Sequence, residues 1–350
     1  MNIPAPPITR SPDMFPHSID VRGDAVRFIR LDRAAFERAS FLDERVLTPL
    51  TPITLIPWRS AAAAIASAGL TERCGYIFHI GHVGSTLLSR LIGAHPQAFS
   101  LREPLVLRTF AEARGESDQG SWGDVGFQAR LGGCLQLLSR TFEASEKPIV
   151  KATSFVSEMA AELLARPSCP RGVLLTVSPE SYLATIFGGP NSRREAQLLT
   201  PGRLKRLHRR VGREIWKAES LTEGETLALS WACETAGLAQ AARTAGARAL
   251  PLDFDVFLAN PHPAMRAALA QFGIDVNATE VGAILASPDM QRYSKAPEYA
   301  YDTELRREVL DEARRLHGAE IRRGLAWLDA AAALFPEVRD AVIFARSAAV

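Results

Sequence analysis

Between Phe78 and Arg90 the chain reads FHIGHVGSTLLSR, a turn punctuated by Gly81 and Gly84 that leads from an apolar run into a leucine-rich stretch. A strand that turns through glycines into a helix start presents unpaired backbone N–H groups. The helix dipole behind them favours a phosphate or sulfate oxygen. Gly81 and Gly84 permit the tight turn and a close approach, while Ser85 and Thr86 add hydroxyl donors. The same residues suit a plain strand–helix connection, where glycine turns the chain and Ser or Thr caps the helix, and spacing alone leaves both readings open. The lysine that a Walker A loop places after its last glycine is absent.

The longer text IFHIGHVGSTLLSRLIGAHP resembles the 5′-phosphosulfate loop of the sulfotransferase family, an apolar strand followed by Arg/Lys-x-Gly-Thr-Thr and a leucine-rich helix ending near His-Pro. Gly84, Ser85, Thr86, Leu87 and Leu88 fit that pattern, His95-Pro96 closes it, and His82 holds the Arg/Lys position. A histidine there can be held protonated by neighbouring sulfuryl and phosphate charge, or remain a neutral loop residue donating one hydrogen bond. Further on, SLREP (Ser100 to Pro104) is similar to the place where several members carry a catalytic glutamate, here Glu103. The plain alternative for Glu103 is an acid at a helix start beside Pro104. VLLTVSPESYLAT is similar to the turn that contacts the 3′-phosphate, with Pro179 in place and Thr185 where a serine usually stands. Val177 occupies the position of that turn's arginine, a departure from the pattern. LALSWACETA and the text from Leu250 to Ile274 follow the family's closing helix and strand in outline, so the likeness spans Gly75 to Ile274.

The resemblance implies an α/β fold of P-loop type, a central parallel sheet with helices on both faces and a helical C-terminal region. It implies transfer of a sulfuryl group from PAPS (3′-phosphoadenosine 5′-phosphosulfate) to a hydroxyl or amine of a small-molecule or glycan acceptor, without a metal. Gly81, His82, Gly84, Ser85 and Thr86 would hold the 5′-phosphosulfate, Thr185 the 3′-phosphate, and Glu103 would take the acceptor's proton. Charge on the bridging oxygen needs a preorganised cation, for which His82 and Lys151 are candidates. Lys151 stands near the end of the expected strand PIVK, at the edge where ligands of open sheets gather, although a lysine there can also snorkel to solvent. Arg193, just beyond the Thr185 helix, is a candidate replacement for the arginine missing at Val177, and Arg292 and Lys295 match a late basic loop that folds over the nucleotide. An exposed basic loop is the plain alternative for the last two. Two other readings stay open: a nucleotide-binding module without transfer, and a small-molecule kinase, which would require magnesium ligands and a phosphate-cradling lysine.

Elements able to position these residues follow from periodicity. Strands are expected at Tyr76–Ile80, Ala98–Leu101, PIVK, Val173–Val177 and ALPLDF, alternating with helices, and helical text runs from Asp302 to about Phe335. Asp253 is expected to cap the short helix after its strand rather than serve as a Walker B acid. Arg203, Arg206, Arg210, Arg213 and Lys217 recur at steps of three and four residues, expected as a solvated helix face, with an anionic acceptor surface as the functional alternative. Residues 1–20 are rich in proline and expected to be disordered or loosely draped, 21–70 form a peripheral segment with AAFERASFLDERVL helical, and 71–350 form the main domain. The 350 residues carry a net charge of +2, too little for a general nucleic-acid binder, and 47% hydrophobic residues without an apolar run long enough to span a membrane. The stretch from Leu55 to Leu70 reads as a soluble helix, no export signal is expected at the N-terminus, and Cys74, Cys134, Cys169 and Cys233 lie too far apart for a CxxC site, which fits a cytoplasmic protein.

Overall fold

A computed structural model of the chain describes residues 8–115, 122–292 and 302–348. Strands β1 (Met14–Asp20), β2 (Ala25–Arg30) and β3 (Ile53–Pro57) form an antiparallel sheet in that order. Strands β4 (Gly75–His79), β5 (Ala98–Arg102), β6 (Lys147–Lys151), β7 (Gly172–Thr176) and β8 (Ala249–Asp253) form a second sheet, parallel throughout, in the order β5-β6-β4-β7-β8. These are the five apolar runs of the sequence. Every residue of β7 is buried, as expected for parallel strands covered on both faces. The chain leaves β4 toward β5 and β6 on one side, then crosses to β7 and β8 on the other, so the direction of winding switches beside β4. Ligands of open α/β sheets bind at such a switch, outside the carboxyl ends of the strands.

The first sheet is joined to α1 (Arg33–Arg38) and α2 (Trp58–Ala68), and packs on α4 (Leu105–Gly115) and α5 (Gly123–Leu138). One face of the parallel sheet carries α3 (Ser85–Gly93), backed by α11 (Pro261–Gln271) and α12 (Ala278–Leu285). The other carries α9 (Glu223–Ala245) with α6 (Ala160–Leu164). Outside α9 lie α7 (Pro179–Phe187), α8 (Pro190–Val211), α13 (Thr303–Leu334) and α14 (Pro336–Ala348), the helical C-terminal region. The short α10 (Phe254–Ala259) follows β8, and the Asp253 side chain caps it by accepting N–H bonds from Asp255 and Val256.

Four local expectations are corrected. Met14–Asp20, inside the stretch expected to be loose, is strand β1; Pro16 is tolerated because β1 is an edge strand with a register shift between Pro16 and Ser18. The buried guanidinium of Arg140 fastens the approach to β1 by donating to the carbonyls of Ile8, Ser11 and Met14. Helix α1 stops at Arg38, where Arg102 takes the carbonyls of Phe36, Glu37 and Ala39, and the chain turns outward through Phe41 to Arg45. The text from Leu55 is strand until Pro57, which stands at the N-cap of α2. The basic stripe is not a solvated face, and α8 ends at Val211 with Gly212 at φ +69°, so Arg213 and Lys217 lie beyond it. Arg203 and Arg206 are buried against Glu234 of α9, at 2.9 and 2.7 Å, and Arg210 reaches Glu158 at 2.5 Å. With these guanidiniums committed to interior carboxylates, the stripe presents no anionic acceptor surface there.

No described helix is long and apolar enough to cross a membrane.

Candidate functional site

The turn after β4 holds three residues at positive φ: Gly81 (+83°), His82 (+54°) and Gly84 (+66°). Gly84 is the N-cap of α3 and supplies no side chain to cap the helix. It has two reasons to be glycine, the left-handed backbone and the Phe254 ring, whose Cζ would lie 1.9 Å from an added Cβ. Helix α3 therefore starts with its first-turn N–H groups facing the mouth of the sheet. Thr86 stands in that first turn, 3% exposed, and its hydroxyl has no hydrogen-bond partner among the described residues. A buried, unpartnered hydroxyl is costly unless a ligand or water satisfies it.

The turn is shaped from behind by His79, a residue that sequence reasoning passed over. Its Nδ1 accepts the Gly81 N–H at 3.0 Å, so Nε2 carries the ring proton and donates to the Ala152 carbonyl at 2.8 Å. Ser157 clasps the His79 backbone from both sides, accepting its N–H at 3.1 Å and donating to its carbonyl at 2.9 Å. The strained backbone of His82 is held by its ring, with Nδ1 3.3 Å from Ser192 Oγ and Nε2 3.4 Å from a Glu195 carboxylate oxygen.

Glu103 follows β5, also at positive φ (+53°). The register of β5 with β6 pairs Arg102 with Lys151, so Glu103 comes one residue past the level of the lysine. Its N–H donates to the Lys151 carbonyl at 2.7 Å, and its carboxylate accepts from the Lys151 ammonium. Lys151 does not snorkel: its side chain is 0% exposed, and the ammonium lies 5.4 Å from the centre of the Phe41 ring. A buried ammonium needs such a counter-charge, and the pair fixes the glutamate at the sheet edge.

Both features open on one cavity of about 930 Å³, at the upper end of the roughly 300–1,000 Å³ usual for small-molecule sites. The cavity brings together Gly81, His82, Gly84, Ser85, Thr86, Glu103, Lys151, Thr185 and Arg292. The Thr185 hydroxyl donates to the Ser181 carbonyl at 2.7 Å and must rotate to donate to a ligand. Arg193 is not in the lining; its guanidinium forks onto Glu223 at 2.9 and 2.7 Å. Val177 is buried, and its carbonyl takes the Trp231 indole N–H at 3.0 Å. Lys295 lies outside the described residues. The Asp253 carboxyl is pushed above its ordinary value by burial, against the N–H bonds from α10, and it does not line the cavity. No three His, Cys, Asp or Glu among the described residues gather as metal ligands.

The cavity also takes in residues to which no motif pointed. Arg306 lines it from α13, bonded to Asp255 at 2.6 Å and lying 5.4 Å over Phe254. The loop after α1 contributes Phe41, Asp43 and Arg45, with the Arg45 guanidinium 3.5 Å over the Phe41 ring and bonded to Asp43. Partial burial pushes the Asp43 carboxyl up, but Arg45 outweighs it and holds the group below its ordinary value. Backbone bonds between Leu42 and Arg102 (2.6 Å) and between Leu105 and Leu42 (3.1 Å) seat this loop beside Glu103. The sequence carries no hint of this loop, since AAFERASFLDERVL reads as helical straight through it.

The chain is similar to the solved sulfotransferase domain from the curacin biosynthetic pathway, at 14% identity over 69% of this chain and 90% of that one, with a TM-score of 0.42. A likeness at this level bears on neither residue roles nor chemistry. No family model and no curated protein matches the chain.

Proposed function

We propose that the protein transfers a sulfuryl group from PAPS to a hydroxyl or amine acceptor. The observation that carries this reading is the Thr86 hydroxyl, buried and unpartnered in the uncapped first turn of α3, on a cavity that also holds Glu103. The loop text favours sulfuryl over phosphoryl transfer, since the Walker lysine is absent and Asp253 is occupied as a helix cap.

The donor supplies an activated sulfuryl group. The acceptor oxygen or nitrogen bonds to sulfur as the bond from sulfur to the 5′-phosphate oxygen breaks, and the electron pair leaves on that phosphate. The α3 N–H groups and Thr86 bind the 5′-phosphosulfate end, and His82 sits beside them to meet charge on the bridging oxygen. Glu103 receives the acceptor's proton on the carboxylate that Lys151 holds in place. Val177 leaves the 3′-phosphate without its usual arginine, and Arg292 is the cavity arginine that could take that role. The same departure supports a second reading, a nucleotide-binding module without transfer.

The test is Glu103→Gln, which keeps size and polarity but removes the base. Single-turnover transfer from labelled PAPS, with an acceptor found by screening, should fall by about 10²–10⁴-fold while PAP (adenosine 3′,5′-bisphosphate) still binds. Transfer at the wild-type rate would remove Glu103 from the chemistry. Tight PAP binding with no transfer to any acceptor would favour the binding module.

A further inference from the structure

Resting on the transfer reading, we infer that the acceptor carries its hydroxyl or amine on an apolar alkyl or aryl body rather than on a sugar. Apolar side chains flank the Glu103–Lys151 pair: Phe41 lies against the lysine, Leu105 follows Glu103 by two residues, and Phe155 follows Lys151 by four. Leu199 and Leu310 carry this lining across to α8 and α13, and Leu198 brings it to the surface, 74% exposed. The charged groups among them are bonded to one another instead of being offered to a ligand. Asp43 is taken by Arg45, Arg108 by Glu112 at 2.8 Å, and Arg306 by Asp255. A sugar brings a hydroxyl on nearly every carbon, and each one that faces these apolar side chains would lose water without a partner. An apolar body loses nothing there and gains from burial.

The experiment pairs binding with transfer. Binding of 4-methyl- through 4-butylphenol to the protein–PAP complex is measured by calorimetry, beside maltose and maltotetraose, and the same compounds are offered as acceptors with labelled PAPS. Affinity and kcat/KM should each rise by about fourfold per added methylene, the equivalent of ~0.8 kcal/mol per buried CH₂. The sugars should show no gain with length. Leu198→Asp, at an exposed position that tolerates a charge, should weaken the longest alkylphenol most; equal weakening along the series would argue against the wall reaching Leu198. A flat alkyl series, or sugars that bind tighter with each added unit, would overturn the apolar acceptor even if transfer is observed. Alkylphenols that bind with the expected slope but receive no sulfuryl group would leave the apolar site standing and overturn the transfer reading instead.

Discussion

Replacing Thr86 by valine should make the protein more stable and a worse binder of PAP. Valine keeps the shape and the β-branch and removes the hydroxyl. In the unliganded protein that hydroxyl is buried at 3% exposure without a partner among the described residues, a burden of roughly 1–3 kcal/mol. Unfolding entropy of about 2.1 cal/mol/K per residue gives the 350-residue chain about 0.7 kcal/mol/K, so relief of that burden raises Tm by about 1–4 °C. In the complex the hydroxyl would donate to a charged oxygen, a bond worth ~1.5–3 kcal/mol, so affinity should drop by about ten- to a hundredfold. At a PAP concentration 100 times the wild-type Kd, wild type gains about 2.7 kcal/mol and the variant only about 0.4–1.4 kcal/mol. Thermal unfolding with and without PAP reads both effects: a higher baseline Tm, and a ligand shift reduced from about 4 °C to about 1–2 °C. A lower baseline Tm would mean that the hydroxyl is satisfied in the free protein. An undiminished ligand shift would remove Thr86 from the anion site.

Arg193→Ala should leave PAP affinity unchanged by calorimetry, because its guanidinium is committed to Glu223, whereas Arg292→Ala should weaken PAP and spare AMP, which lacks the 3′-phosphate. Glu195→Gln should tighten PAP by about two- to fivefold at low salt, the effect of removing ~0.3–1 kcal/mol of repulsion from a half-exposed carboxylate beside His82; no change at any ionic strength would mean that the carboxylate does not face the anion. Burial alone would raise the Glu234 carboxyl, but Arg206 and Arg203 outweigh it and hold it below its ordinary value of 4.5. The unfolded chain then binds a proton more readily than the folded one, so this stability is complete above 4.5 and is lost as pH falls through the lower folded value. Glu234→Gln should cost roughly 3–5 kcal/mol at neutral pH and flatten the acid limb of urea midpoints taken from pH 7 to pH 3; an unchanged limb would remove Glu234 from the acid response.

The sheet was legible because parallel strands buried on both faces leave continuous apolar runs, and each of the five runs became a strand. The turn before α3 was legible for a related reason: left-handed backbone at a helix start favours glycine, and Gly81 and Gly84 announce it. Glu103 and Lys151 could each be named from a strand end, but not as a pair, because their contact depends on the register between β5 and β6. Arg193 stands close in sequence to the Thr185 helix, but nothing in the sequence shows that Glu223, 30 residues on, takes it. The partners of the arginine stripe are hidden for the same reason, since Glu234 and Glu158 lie on other elements. The wall from Phe41 to Arg45 was illegible because it is built by a segment whose text carries no motif and whose seat is made of backbone bonds to Arg102 and Leu105.

On the proposed reading, the turn before α3 holds the phosphate end of a 3′-phosphorylated adenine nucleotide. Side-by-side calorimetric titrations of the wild-type protein with PAP, AMP and ATP with magnesium test it most directly. PAP should bind tightest, AMP about ten- to a hundredfold more weakly for want of one charged contact, and ATP with magnesium no tighter than AMP. Tight binding of ATP with magnesium while PAP produces no heat would contradict the account and point to phosphoryl transfer. No heat from any of the three would mean that the turn is only a connection between a strand and a helix.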